Sequence, residues 1–223
     1  MVAILVILTF AVMLLIDHLV TRQPIIIAEA APAAGPERPR VLSPIVAGFN
    51  VPDNLRYHPG HTWAIAETPE LVRVGVDDFA AKIVGKVAKI DLPQRGQWVR
   101  QGQKVFSFRD GEKKIDMVSP IEGTVVEINE KALETPDLTR NDPYGEGWLL
   151  EVHSPDQKTN FKNLMNGTLA RRWIEEAAAR LRAMVPTPAG AYAFAQDGGI
   201  VADDVLSLVS DRKAATQEFF LTA

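Results

Sequence analysis

The chain contains no cysteine, and it has only 4 histidines in 223 residues. Without a thiol there is no disulfide, no cysteine nucleophile, no cysteine-ligated zinc and no cysteine-ligated iron–sulfur cluster. Positive charge is also limited, since 24 Lys and Arg stand against 28 Asp and Glu. The resulting formal net charge of -4 argues against a nucleic-acid-binding surface, which requires clustered cations. Any redox chemistry must therefore come from a bound group or from a partner.

The length of 223 residues suits one compact domain with additions, or two small domains. Hydrophobic residues make up 47% of the chain and the mean hydropathy is -0.00, which is high for a soluble protein. Much of this excess lies in residues 2–16, where Thr9 is the single polar side chain. A helix formed by residues 1–20 would span about 30 Å of hydrocarbon. Residues 1–23 are therefore predicted to form a transmembrane anchor.

A cleaved secretory signal is the alternative interpretation of this apolar run. Ala28-Glu29-Ala30 resembles a cleavage site, but it lies far from the run, and no Lys or Arg precedes the run. We therefore favour an uncleaved anchor. The nearest cationic side chains all follow it: Arg22, Arg38 and Arg40. By the positive-inside rule, the N-terminus is expected outside and the soluble domain on the cytoplasmic side of the inner (cytoplasmic) membrane.

Residues 24–55 are rich in proline and alanine, which predicts an extended tether. This segment is either a disordered linker or a strap laid along a partner, and the sequence leaves both interpretations open. The anchor and the tether carry apolar side chains that are candidate partner-binding residues: Phe10, Leu14, Ile25 and Ile26.

From residue 56 to about residue 152 the pattern changes to short β-type runs separated by Gly, Pro and Asp turns. Strands are predicted at residues 71–76, 84–92, 98–99, 104–108, 115–118, 123–129 and 148–152. Helices are predicted in this region at residues 77–83 and 130–133, and Asp110-Gly111 is a hairpin turn signal. Many short strands with few helices indicate a small β-barrel or sandwich.

This region also resembles a known family. The matching residues include Tyr57, His61, Trp63, Val74-Gly75-Val76-Asp77-Asp78-Phe79-Ala80, Asp91-Leu92-Pro93, Ser119-Pro120 and Asp142-Pro143-Tyr144-Gly145-Glu146-Gly147-Trp148-Leu149. They stand at the spacing of the glycine-cleavage H proteins, and the resemblance covers residue 56 to roughly residue 182. It implies a lipoyl/biotinyl-carrier-like barrelled sandwich hybrid, mainly β with C-terminal α-helices. We therefore expect an H-protein-like domain at residues 56–185, preceded by one transmembrane helix.

The resemblance implies a function, which is to carry lipoate on a lysine at the tip of a tight hairpin. In H proteins this lysine lies seven residues before the serine of the Ser-Pro pair, and counting back from Ser119 gives Glu112. A carboxylate cannot form the amide that holds lipoate, so no cofactor is expected at this position. Lys113 and Lys114 are the fallback lipoyl candidates if the hairpin is shifted. The glutamate of the family motif is replaced by Arg109, which reverses the charge beside the site.

No other group of polar residues suggests a reaction. His58 and His61 stand three residues apart, but a Pro-Gly pair between them disfavours a helix, and no third metal ligand lies nearby. The acidic pairs Asp77-Asp78 and Asp203-Asp204 are predicted to begin helices, where they offset the helix dipole. We therefore expect no catalytic residue, no metal and no enzymatic activity.

The C-terminal part is predicted to be helical and to continue beyond the family match. Thr168 is expected to cap a helix at residues 169–184, docked through an apolar stripe: Leu169, Trp173, Ala177, Leu181 and Met184. Residues 186–223 form an extension beyond the family match, with a short helix expected at residues 203–209. The extension is either a lid on the domain's own core or a partner-docking patch anchored by Phe219, Phe220 and Leu221.

Two functions of different classes follow from these features. The first is a non-catalytic, membrane-anchored accessory subunit of a larger integral membrane complex, respiratory or photosynthetic, in which a degenerate H-protein-like domain is an interaction scaffold. The second is a membrane-tethered lipoate carrier of a glycine-cleavage-type or related oxidoreductase system, modified on Lys113 or Lys114. The partners expected are a membrane protein complex and the lipid bilayer, reached through residues 1–20, and no nucleic acid.

Overall fold

The computed structural model describes residues 44–186 and 205–221. The predicted anchor, residues 24–43 of the tether and residues 187–204 lie outside the described residues. With them lie the candidates Phe10, Leu14, Ile25 and Ile26 and the pair Asp203-Asp204. In the part that the structure describes, no helix has the length and apolar character needed to cross a membrane.

The described residues form short strands followed by helices. The strands are β1 (Ile45–Val46), β2 (Phe49–Asn50), β3 (Arg56–His58), β4 (Thr62–Ala66), β5 (Leu71–Val76), β6 (Lys89–Asp91), β7 (Trp98–Val99), β8 (Lys104–Asp110), β9 (Lys113–Val118), β10 (Gly123–Ile128) and β11 (Leu150–His153). The helices are α1 (Asp78–Val84), α2 (Glu130–Glu134), α3 (Leu138–Asn141), α4 (Gln157–Phe161), α5 (Gly167–Met184), the 3-10 helix η1 (Val205–Leu208) and α6 (Arg212–Phe220).

The strands pair antiparallel in a β1–β2 hairpin, a six-stranded sheet and a three-stranded sheet. The strand order is β3-β4-β5-β11-β10-β7 in the larger sheet and β6-β8-β9 in the smaller one. The prediction of a mainly β sandwich with helices at the C-terminal side is confirmed. The predicted helices at residues 77–83 and 130–133 are also present as α1 and α2. The strand predicted at residues 84–92 is present only at Lys89–Asp91, and Val84 belongs to α1.

Trp63 holds the larger sheet to the turn before β11. The indole Nε1 donates to the carbonyl oxygen of Val76 at 2.8 Å and to that of Pro143 at 3.1 Å. The neighbouring strand must leave room for this ring, because a Cβ atom on Gly75 would lie 2.6 Å from it. The Asp-Pro-Tyr-Gly run in the sequence is therefore a structural turn seated on the core.

The predicted tether ends earlier than residue 55, which corrects its boundary. Phe49 and Val51 are buried, and the Phe49 ring centroid lies 5.0 Å from that of Phe79 on α1. The backbone N–H of Val51 donates to the carbonyl of Pro44 at 3.0 Å, which closes the β1–β2 hairpin. The proline content predicted an extended segment, but apolar burial folds residues 44–55 onto the domain.

The buried face of α5 also differs from the predicted stripe. The helix begins at Gly167 rather than after a Thr168 cap, and its buried side chains are Ala170, Ile174, Ala177, Ala178 and Leu181. Leu169 is 60% exposed, and Trp173 and Met184 are only partly buried. The helix is rotated toward its alanines, since small side chains allow its backbone to approach β1 and α6 closely.

The C-terminal segment packs on the domain, with η1 where a short helix was expected and α6 as an unpredicted helix. Phe219 and Phe220 are buried, and α6 lies beside β9. The approach is close at Gly60, where a Cβ atom would stand 2.5 Å from the Val118 Cγ2 and 2.9 Å from the carbonyl oxygen of Phe220. The core therefore includes six side chains of this segment: Val205, Leu206, Val209, Ala215, Phe219 and Phe220.

We expect Phe220→Ala to lower the free energy of unfolding by about 3–5 kcal/mol, because it leaves a cavity in the core. Leu169→Ala is the control and should change it by no more than about 0.5 kcal/mol, because the side chain is largely exposed. Urea unfolding measures both values. A cost at Phe220 as small as that at Leu169 would show that the C-terminal helix does not contribute to core stability.

Candidate functional site

The most distinctive turn of the fold is the tip of the β8–β9 hairpin. Asp110 pairs with Lys113, which leaves Gly111 and Glu112 as a two-residue turn. Gly111 has a φ of 57°, a conformation that favours glycine at the first position of a hairpin turn. The predicted Asp110-Gly111 turn is therefore shifted by one residue, and Glu112 stands at the exposed tip.

The two fallback lysines lie on β9 rather than at the tip. Lys114 pairs with Arg109 across the hairpin, and its Nζ lies 2.8 Å from Asp116 Oδ1. Lys113 is half-buried, whereas the Lys114 side chain is 49% exposed.

The register of the hairpin is fixed by its inner face. Ile115 and Met117 on β9 are buried, as are Phe106 and Phe108 on β8. A slip of one residue would turn β9's buried side chains toward solvent, because side chains alternate between the faces of a strand. Moving Lys113 to the tip would therefore expose apolar core.

An ion-paired ladder crosses the outer face of the three-stranded sheet. The Arg109 guanidinium donates to the Asp91 carboxylate on β6, and the Ser107 hydroxyl donates to the same oxygen at 3.2 Å. Desolvation acts to raise the pKa of Asp91, but the hydrogen bond and charge of Arg109 outweigh it and lower that pKa. Arg109 thus links β8 to β6 close to the tip of the hairpin.

A cleft of about 550 Å³ opens between the hairpin and the C-terminal helices. Its lining comprises Asp110, Glu112, Lys113, Lys114, Ile115, Leu206, Arg212 and Thr216. Both signs of charge are present, so the cleft does not select a ligand by charge alone. The contributions of η1 and α6 were missed in the sequence, since no local pattern indicates where a C-terminal segment will pack.

Phe219 and Phe220 of the C-terminal segment point into the domain. The rings of Phe219 and Phe220 lie with their centroids 6.1 Å and 6.2 Å from that of His61. The predicted partner-docking role of Phe219 and Phe220 is corrected, because both side chains are buried in the core of the domain. Leu221 is half-buried. This arrangement corresponds to the lid alternative.

The two histidines are buried in different hydrogen bonds. His61 Nδ1 lies 2.8 Å from Asp77 Oδ2, while His58 Nδ1 accepts a hydrogen bond from the Gly60 backbone N–H at 3.0 Å. Asp77 also caps α1 by accepting from the Ala80 N–H at 2.8 Å. Across residues 44–186 and 205–221, no group of three or more His, Asp or Glu side chains is placed to hold a metal ion.

Burial is the main cause that lowers the pKa of His58 to about 4, and the neighbouring His61 adds to it. Its Nδ1 is an acceptor in the folded state, so protonation would break that hydrogen bond.

Comparison with known proteins gives one consistent family. Residues 55–177 match the family model described as glycine cleavage H-protein. The chain is 36% identical over 118 residues to the glycine cleavage system H protein of Prochlorococcus marinus, covering 53% of this chain and 91% of the relative. It is 35% identical over 128 residues to that of Coprothermobacter proteolyticus, covering 57% of this chain and 100% of the relative. The crystal structure of an H protein from Mycobacterium marinum aligns with a TM-score of 0.44 and 29% identity, covering 47% of this chain and 86% of that one.

We expect the folded protein to lose stability as the pH falls from 6.5 to about 4 because of His58. In this window the unfolded chain binds a proton at His58 that the folded chain does not, so the loss is complete only below the folded pKa. The shift corresponds to roughly 3 kcal/mol. His58→Asn keeps an acceptor for Gly60 and removes the titration, so its unfolding free energy should fall less over the same window. Parallel pH profiles of the two proteins, measured by urea unfolding, would contradict this assignment.

Proposed function

This chain belongs to the glycine cleavage H-protein family, and we propose that it acts as a non-catalytic, membrane-anchored accessory subunit rather than as a lipoate carrier. Its H-protein-like domain is the scaffold of this subunit, and the host is a larger integral membrane complex, respiratory or photosynthetic.

The observation that carries the proposal is Glu112 at the tip of the β8–β9 hairpin. This is the position that the resemblance assigns to the lipoyl lysine. The residues at the tip do not fit lipoate, because a carboxylate has no amine with which to form an amide. The buried side chains of Ile115 and Met117 oppose the register shift that would bring a lysine there.

The membrane part of the proposal rests on the apolar run at residues 2–16. We propose that this run anchors the chain, with the domain on the cytoplasmic side and the partner complex within reach of the proline-rich segment that follows. The chain thus joins a lipid-spanning segment to a family domain that is changed at its carrier position.

The second candidate function is a membrane-tethered lipoate carrier. The position of Lys114 favours it, since this side chain is 49% exposed and stands two residues beyond the tip. Modification there would require loss of the 2.8 Å ion pair with Asp116. Lys113, which is half-buried, is the other possible acceptor in this candidate.

We expect Glu112→Lys to gain lipoylation while the wild-type chain stays unmodified, because the substitution supplies the missing amine at an exposed turn. Both full-length proteins are incubated with a lipoate–protein ligase, lipoate and ATP, and intact mass spectrometry measures the lipoyl amide. The double substitution Lys113→Arg/Lys114→Arg, made in the Glu112→Lys background, should remain a substrate.

Lipoylation of the wild-type chain that disappears in Lys113→Arg/Lys114→Arg would overturn the scaffold proposal in favour of the carrier. Failure of Glu112→Lys to accept lipoate, despite an unchanged urea midpoint, would show that the hairpin no longer presents its tip to the ligase.

We expect deletion of residues 1–23 to release the domain from membranes and from its complex, because the apolar run is then absent. Fractionation of cells that express tagged full-length and truncated chains measures the first effect, and affinity purification measures the second. If the truncated chain still co-purifies with the same assembly, the domain rather than the anchor carries the association.

A further inference from the structure

Away from the hairpin tip, two large apolar side chains lie exposed at one edge of the six-stranded sheet. Trp98 on β7 is 50% exposed, and Val126 on β10 is 44% exposed. The register pairs Trp98 with Thr124, two residues from Val126. Val126 falls at the register irregularity of β10, and such bulges re-aim side chains at sheet edges.

The strand that carries Trp98 is the last one in its sheet. β7 pairs with β10 on one side, and on its other side no strand of residues 44–186 or 205–221 pairs with it. The backbone that follows this strand is already bonded within a turn, since the Arg100 N–H donates to Gln103 Oε1 at 2.9 Å and the Arg100 carbonyl accepts from the Gln103 N–H at 3.1 Å. Sheet edges are usually protected by lysine or proline, whereas this one exposes a tryptophan.

A groove of about 550 Å³ runs beside Trp98. Its remaining lining is formed by Arg100, Gln101, Gly102 and Gln103. The wall at Gln101 is held in place, because its Nε2 donates to the carbonyls of Pro120 at 2.9 Å and Asn160 at 3.0 Å. A groove fixed in this way loses little entropy on binding a partner.

The charges around this groove are mostly positive and unpaired. Arg100 is exposed, and its guanidinium forms no ion pair with the residues that the structure describes. The bond from Gln101 to Asn160 brings α4 alongside, where Lys158 and Lys162 are exposed and equally lack ion-pair partners among the described residues.

Carboxylates near these cations are fewer. Glu122 precedes the residue that pairs with Val99, and Asp156 precedes α4. The surface therefore keeps an excess of positive charge within a chain whose formal net charge is -4. Charge complementarity favours a negatively charged occupant.

We propose that the β7 edge groove binds an extended, acidic segment of a partner protein, which covers Trp98 with an apolar side chain and pairs a carboxylate with Arg100. Tryptophan and arginine are the side chains that most often dominate binding at protein interfaces. The groove lies before β8 and the hairpin tip lies after it, so the two are separated by roughly 20 Å. This inference names the partner chemistry of the scaffold function proposed above and rests on it.

The test selects a phage-displayed library of random peptides on the full-length chain in mild detergent. Enriched peptides are expected to combine acidic with aliphatic or aromatic residues. Synthetic copies of them should bind Trp98→Ser/Arg100→Glu at least about tenfold more weakly, as loss of two central interface side chains predicts. The matched control is Leu169→Ser/Arg172→Glu, which changes an exposed apolar side chain and an exposed arginine on α5 and should leave the affinity unchanged.

Several results would overturn this proposal. They are an absence of enriched peptides, enrichment of basic peptides, and equal binding by the wild-type and Trp98→Ser/Arg100→Glu chains. The same variants are compared for sedimentation with phosphatidylserine and phosphatidylcholine vesicles. In one outcome, the wild-type chain prefers phosphatidylserine vesicles while Trp98→Ser/Arg100→Glu alone does not. If no peptide is enriched either, this result would show that the cations bind lipid rather than a protein segment. Because the peptide measurement involves neither lipoate nor the anchor, its failure is distinguishable from failure of the scaffold function.

Discussion

The stacked ring of His61 connects the helices that pack behind the β8–β9 hairpin. Its centroid lies 4.2 Å from that of Phe79 on α1 and 4.3 Å from that of Trp173 on α5. Its Nδ1 is bonded to Asp77, the residue that caps α1. Phe219 and Phe220 approach the ring from the C-terminal helix. The buried His61 side chain therefore contacts α1, α5 and the C-terminal helix α6. The helix α6 in turn lies beside β9 of the hairpin.

The fold of the hairpin does not depend on the side chain at its tip. The side chains that hold the hairpin in register are apolar and inward-facing, so they depend on the core and not on what the tip carries. The tip itself is an exposed two-residue turn, and the Glu112 side chain is exposed there. The proposed loss of the carrier function is therefore compatible with an intact fold.

Much of the domain could be predicted because its signals are local. β5 and β7 coincide with the apolar runs at residues 71–76 and 98–99, and the turn glycine lies within one residue of its expected place. The buried face of α5 could not be predicted from residue spacing, because alanines rather than Leu169 are buried. The cleft beside Glu112 also required the fold, since Arg212 and Thr216 are brought to it by packing over a long separation in sequence. The comparisons establish the family, while the substitution at the tip carries the proposal.

The central claim is that the hairpin of the native protein carries no lipoate. The most direct measurement is the mass of the hairpin peptide that contains Glu112, Lys113 and Lys114, released from protein purified from its own membranes. We predict the unmodified peptide mass in all of the recovered material. A lipoyl amide on Lys113 or Lys114 in a substantial fraction of that peptide would contradict the claim and identify the chain as a carrier.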